Sequence, residues 1–344
     1  VKLLLTLFIT IFIVMTQLSL SQPDRETLIA GGIEKARTTA LALEPIEETD
    51  EYRLIRHALG EAKVPLSPQR IVTLEPSLTD ALLALGFNVV ATVTWPPDNG
   101  PHAYLRSYLP EDVLEVGTED QPNLEAIVAA DPDLILTWDW YPDPVDELSQ
   151  IAPTIAVPYS EYEKRVGVTY SDEQYLTWLV RELAAVLGAE DKVESALQPF
   201  RDKVAATRAT LEKKLEGKTV AFLDVRVDNI LISGYGFDGI SALIYGDVRV
   251  PMDPLVAERE VWADLSLETL PEIGSEIILT FADGDEATER LDSLANNPLW
   301  TNLPAVKAGQ VIVVPSSLYY RGDDGPLGAV QVIDDLLNRL AGGE

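Results

Sequence analysis

Residues 68–86 read PQRIVTLEPSLTDALLALG, and the order of side-chain types is that of one strand followed by one helix. Positions 70–74 are rich in β-branched and aliphatic residues, which suits a buried strand. Ser77 or Thr79 is placed to cap the helix that follows, and Gly86 ends it by entering left-handed backbone without a Cβ penalty. The segments NVVATV (88–93), NLEAIVAADPDLILT (123–137) and TIAVP (154–158) continue the alternation. Short strands separated by short helices build βαβ units on a largely parallel sheet.

A second series follows residue 217, with KTVAFLDV (218–225), NILISG (229–234), GISALIYG (239–246), SLETLPEIGSEIILT (266–280) and VIVVP (311–315). Laying 123–137 over 266–280 without a gap matches Leu124 with Leu267, Glu125 with Glu268, Ile135 with Ile278, Leu136 with Leu279 and Thr137 with Thr280. Similar residues fall at Asp133/Glu276 and Leu134/Ile277. A cap, a short helix and a buried strand in each half predict two related α/β lobes, 67–170 and 217–344, instead of one large sheet. The chain's 344 residues also exceed what one core usually supports. Between the lobes, 171–216 has helical periodicity with breaks at Gly188 and Pro199. A helix over 189–215 would run about 40 Å, a stiff connection that makes large domain closure an unexpected motion.

Residues 1–21, VKLLLTLFITIFIVMTQLSLS, place Lys2 before an apolar run and end in Ser19-Leu20-Ser21. This is the pattern of a secretory signal peptide removed before Gln22, and the run is short of the ~20 residues a membrane span needs. A periplasmic, freely soluble product is expected, and with no cysteine in the sequence neither disulfides nor a lipid-modified cysteine is available to it. Residues 22–66 are polar with little apolar periodicity and read as an extension or tether.

A formal charge of -30 excludes nucleic acid and anionic lipid as partners, because both require a basic surface. His57 and His102 are the only histidines. A zinc site or a Ser-His-Asp triad is therefore not motivated, and no catalytic residue, metal ligand or cofactor is assigned. The stretch ILISGYGFDGISALI (230–244) spaces Gly234, Gly236 and Gly239 like a dinucleotide-binding loop. The strand before it and a tight turn at 227–229 instead give a hairpin entry, which a Rossmann unit lacks. The glycines read as a turn that caps a helix starting near Gly239.

The stretch HALGEAKVPLSPQRIVTLEPSLTDALLALG (57–86) resembles the periplasmic ferric-siderophore binding proteins of ABC importers, a class that includes cobalamin binders. It carries the P-x-R-I-V strand and the T-E-x-L-x-A-L-G helix of that family, with Asp80 where Glu is usual. The resemblance continues in EVGTEDQPNLEAIVAADPDLILT (115–137), SLETLPEIGSEIIL (266–279) and NPLWTNLPAVKAGQVIVVP (297–315), and covers 57–340. It implies a class III binding-protein fold, α/β, with two lobes of mainly parallel sheet, a rigid interlobe helix and a shallow cleft. It further implies a non-enzymatic solute carrier, monomeric, that captures a ferric chelate and delivers it to an ABC permease dimer. Cobalamin or haem is the alternative cargo in the same fold, and a secreted α/β enzyme is the alternative of another class.

A chelator already coordinates its iron, so such a cleft needs flat aromatic walls and guanidinium or phenol donors. Matching the family's cleft positions gives Trp95, Tyr104, Arg106, Trp138, Trp140 and Tyr141 from the first lobe. The second lobe gives Arg226, Tyr235, Trp262, Tyr319, Tyr320 and Arg321. The resemblance places the glycine loop near the cleft, where its N–H groups would help hold an anionic ligand. It also places one acid per lobe, Asp80 and Glu268, on the surface that meets the permease.

Overall fold

The computed structural model describes residues 22–94, 103–140, 145–166, 171–235, 239–259 and 262–342. The first of these are built into the fold, which corrects the expectation of a tether. A helix, Gln22–Thr38, packs on the helix Asp172–Leu187. Three antiparallel strands follow, β1 (Pro45–Glu48), β2 (Tyr52–His57) and β3 (Gly60–Pro65), in the order β1-β2-β3. Ala36, Leu43, Ile55 and Val64 are fully buried. Much of the anchoring is polar: buried Glu182 accepts from Ala42 N at 2.9 Å, Leu43 N at 2.8 Å and Trp178 Nε1 at 3.0 Å. Arg181 donates to the carbonyls of Ala36 and Thr39. Backbone groups satisfied by a distant helix leave no apolar stripe for periodicity to detect.

A strand as apolar as LILTW needs cover on both faces. The first lobe has five parallel strands, β4 (Ile71–Thr73), β5 (Val89–Thr94), β6 (Leu114–Thr118), β7 (Leu134–Trp138) and β8 (Thr154–Val157), ordered β6-β5-β4-β7-β8. The second lobe has β9 (Val220–Val225), β10 (Ile230–Ile232), β11 (Ala263–Asp264), β12 (Ile277–Ala282) and β13 (Val311–Val313), ordered β11-β10-β9-β12-β13. There β9, β12 and β13 are parallel, while β9-β10 is an antiparallel hairpin and β11 extends it. The glycine loop thus follows an antiparallel strand.

The internal repeat occupies equivalent places. β7 lies beside β4 and β12 beside β9. Asp133 accepts from Gln69 N and Arg70 N at 2.7 and 2.9 Å, just before β4. Glu276 accepts from Thr219 N at 2.9 Å, just before β9. In both lobes a carboxylate ahead of the strand fastens the incoming end of its neighbour. The preceding helix differs, being Leu124–Ala129 in the first lobe and a single 3-10 turn, Leu270–Glu272, in the second.

Two helices run between the sheets, divided at Gly188 as the sequence indicated, and the second is the long interlobe helix. Asp172–Leu187 ends at Gly188 in left-handed backbone (φ 63°), and Val193–Leu215, 23 residues containing Pro199, forms the interlobe helix. At 1.5 Å per residue it spans roughly 35 Å. The C-terminal helix Pro326–Leu340 packs along it and against the helix Pro76–Ala84. One continuous core joins both lobes through these helices.

Candidate functional site

β7 delivers Trp138 at its C-terminal end, where open α/β sheets place their ligands. Its buried indole stacks on Trp140 at 4.9 Å and on Trp178 at 6.1 Å between ring centroids. Tyr159 stands edge-on to Trp138 and Trp140 at 5.5 and 4.7 Å, and Tyr175 lies 5.9 Å from Trp178. Trp178 and Tyr175 come from the helix Asp172–Leu187, so this helix supports the wall as well as joining the lobes. Trp138 Nε1 is buried and has no hydrogen-bond partner among the described residues, a state that a ligand acceptor would relieve.

Two adjoining cavities, of about 210 and 390 Å³, share Tyr159, Gly239, Arg321 and Asp324 and form one cleft between the lobes. Glu75, Ser77, Trp138, Trp140 and Tyr175 complete the first part. Asp224, Arg226, Trp262, Phe281, Tyr319 and Tyr320 lie in the second.

Arg321 bridges the two walls. Its Nη1 lies 3.2 Å from Glu75 Oε1 and 2.9 Å from Glu119 Oε2, both carboxylates on the first lobe and both buried. Its φ of 68° is uncommon for a side-chain-bearing residue and fits a backbone held for a purpose. Glu75 is also the N-cap of Pro76–Ala84, accepting from Ser77 N at 2.7 Å and Leu78 N at 3.2 Å. The cap is thus Glu75, in place of Ser77 or Thr79: Pro76 occupies the first turn, and the longer carboxylate can serve both the helix and Arg321. Arg226 Nε meets Asp224 Oδ2 at 2.7 Å. Burial raises the Asp224 carboxyl above its ordinary range, and Arg226 opposes that shift. Burial likewise lifts the Tyr175 phenol well above its usual value, with Asp324 and Glu75 adding to the effect.

Of the residues predicted from sequence, Trp138, Trp140, Arg226, Trp262, Tyr319, Tyr320 and Arg321 line the cleft. Tyr104 does not. It is buried, with its backbone carbonyl held by Gln331 Nε2 and its ring against Gly328 of the C-terminal helix. Tyr235 is buried, its N–H bonded to Arg259 O, and lines neither cavity. Arg106 is exposed and lines neither. Trp95 and Tyr141 lie outside the described residues.

Glu268 is exposed as expected, but Asp80 is not. Asp80 is fully buried and accepts from Leu327 N at 2.9 Å and Gly328 N at 2.8 Å, at the start of the C-terminal helix. The shorter acid closes onto a helix N-terminus, where the backbone donors and dipole hold it. The glycine loop departs from expectation as well. Asp323 and Asp324 lie close to Gly239, which sets carboxylates beside the place expected to favour an anionic ligand, and residues 236–238 of the loop lie outside the described residues.

Sequence reasoning missed Glu75, Glu119, Tyr159, Tyr175, Phe281 and Asp324. Phe281 alone had a usable signal: the repeat carried one residue further pairs it with Trp138.

The periplasmic binding protein family model matches residues 71–318. An iron(3+)-hydroxamate-binding protein of Bacillus subtilis is 27% identical over 286 residues, spanning 81% of this chain and 84% of that protein. The achromobactin-binding periplasmic protein of Dickeya dadantii is 29% identical over 289 residues, spanning 80% and 88%. Among solved structures, Staphylococcus aureus SirA complexed with staphyloferrin B superposes with a TM-score of 0.64 at 25% identity, covering 83% of this chain and 98% of SirA.

Proposed function

The chain belongs to the periplasmic binding protein family, and from that premise we propose that it captures a ferric siderophore in the cleft between its lobes and delivers it to an ABC permease. The observation that carries this reading is the ring-lined cleft at the strand ends of the first lobe, in a chain whose relatives are named for iron chelates. The iron is cargo, coordinated by its chelator. Among the described residues no group of three or more His, Asp or Glu side chains is placed to hold a metal ion. The relatives compared give no support to cobalamin or haem as cargo. The protein is a periplasmic carrier, and its relatives bind and hand over ligands without transforming them.

It acts as a monomer on a permease dimer, with exposed Glu268 as the docking acid of the second lobe. Asp80, being buried, does not serve as its counterpart on the first lobe.

Titration with iron(III) complexes while following tryptophan fluorescence tests the assignment. Trp138, Trp140 and Trp262 line the cleft, so a seated chelate quenches emission. Cobalamin and haem serve as controls. Emission that no iron chelate alters at micromolar protein would remove the assignment.

A further inference from the structure

We propose that the cleft selects ferric chelates of zero or positive net charge and rejects polyanionic ones, an inference that rests on the siderophore reading above. The carboxylates lining it are Glu75, Asp224, Asp323 and Asp324, against two guanidiniums, Arg226 and Arg321. Both arginines are already engaged. Arg321 meets Glu75 and Glu119, so the bridge itself carries excess negative charge, and Arg226 meets Asp224. Recruiting Arg321 for an anionic ligand would loosen its hold on the buried Glu75 and Glu119 carboxylates, a costly exchange.

Among the described residues that line the cleft there is no further lysine or arginine. Arg249, paired with Glu26 at 2.9 Å, and Arg259, which donates to Leu255 O, line neither cavity. Positions 95–102, 141–144, 167–170, 236–238 and 260–261 contain no lysine or arginine. Two of the lining carboxylates, Asp323 and Asp324, lie together beside Gly239.

The opposite wall points the same way. Trp140, 42% exposed, and Tyr159 line the cleft over the buried Trp138, and an aromatic face carries negative quadrupole that attracts cations. Buried Trp138 Nε1 adds a donor suited to a neutral carbonyl or hydroxamate oxygen.

Ligand chemistry turns this balance into a choice. Three singly charged hydroxamates cancel the ferric charge, and an ammonium arm makes the complex a cation. Three doubly charged catecholates leave a trianion, and citrate complexes are also anionic. In a cleft of this sign the trianion meets repulsion from several carboxylates at once, which water screens only in part.

The test measures dissociation constants by tryptophan quenching for the iron(III) complexes of desferrioxamine B (cation), ferrichrome (neutral), citrate (anion) and enterobactin (trianion). The expected result is binding of the hydroxamates with the trianion at least about a hundredfold weaker at low ionic strength. The gap should narrow as salt is raised. Asp324→Asn, checked for an unchanged melting curve, should tighten the trianion about tenfold and weaken the cation severalfold. Opposed changes for the two charges would not arise from a general loss of shape. Should the wild-type protein bind the trianion as tightly as the cation, the selectivity is wrong while the siderophore reading stands. Should it bind none of the four, the siderophore reading falls and the selectivity with it.

Discussion

The two walls of the cleft are built from equivalent strands but by different forces. In the first lobe β7 ends in Trp138, and rings pack on rings through Trp140, Tyr159, Tyr175 and Trp178. In the second lobe the repeat-related β12 carries Phe281 at the matching position. There the wall is completed by ions, Asp224 with Arg226 and the Arg321–Asp324 turn. Apolar packing is local and tolerates solvent nearby, whereas Arg321 of the ionic wall depends on Glu75 and Glu119 from the other lobe. A duplicated framework therefore supplies position, and each copy's side chains decide what that position recognises.

The largest effect expected from breaking this contrast is Trp138→Ala. It should cost about 3–5 kcal/mol in denaturant unfolding, because a fully buried indole leaves a cavity among packed rings. Its stacked neighbour Trp140 is 42% exposed. Trp140→Ala should lower stability by under ~1 kcal/mol while weakening the ferric chelate about tenfold, a split visible in paired melting and binding curves.

Next comes Arg321→Ala, which leaves Glu75 and Glu119 buried without their shared cation. With the arginine itself 28% exposed, a loss of roughly 2–3 kcal/mol is expected. The second-lobe pair sharpens the comparison. Arg226 is 56% exposed, and Arg226→Ala should cost less than ~1 kcal/mol. Equal losses for the two would show that the bridge across the cleft has no special role.

Two buried acids tie the lobes to the helices between them. Asp80 receives the C-terminal helix, while Asp247 accepts from Ser171 Oγ at 2.5 Å and Asp172 N at 2.7 Å, at the start of Asp172–Leu187. Burial raises both carboxyls to about 7, against the pull of these hydrogen bonds. Because the folded protein then holds protons that the unfolded chain releases near pH 4, their contribution is full below about pH 4 and fades as pH rises through 7. The melting temperature should fall by a few degrees from about pH 5 to about pH 8, and Asp80→Asn or Asp247→Asn should flatten that slope. An unchanged slope would show that neither acid titrates there.

The smallest expected effect is that of Glu268→Ala. Being exposed, it should leave stability and chelate affinity unchanged and slow permease-dependent uptake alone. A change in affinity would place the residue in the cleft or the fold.

Several elements were legible because their signal is local. Strands β4, β5, β7 to β10, β12 and β13, the Leu124–Ala129 helix and the Asp133/Glu276 correspondence follow from runs, caps and an ungapped repeat, whereas β6 and the two-residue β11 were not read from the sequence. Trp138 and Trp140 were readable because strand ends point at ligand sites in this architecture. Tyr159, Tyr175 and Trp178 were not, since aromatic residues around the start of a long helix read equally well as core. The segment at 22–66 was missed because Glu182 and Arg181 hold its backbone from a helix more than a hundred positions away.

The sequence by itself determined the alternation of strand and helix, the duplication of the lobes, the excess of acid and the rings at the end of β7. Tertiary structure decided which acid is buried, as with Asp80 against Glu268, and which arginine is already neutralised, as with Arg321. The reason is physical: burial and charge pairing are properties of groups brought together in space, and Glu75 and Arg321 are 246 positions apart, beyond the reach of any local pattern.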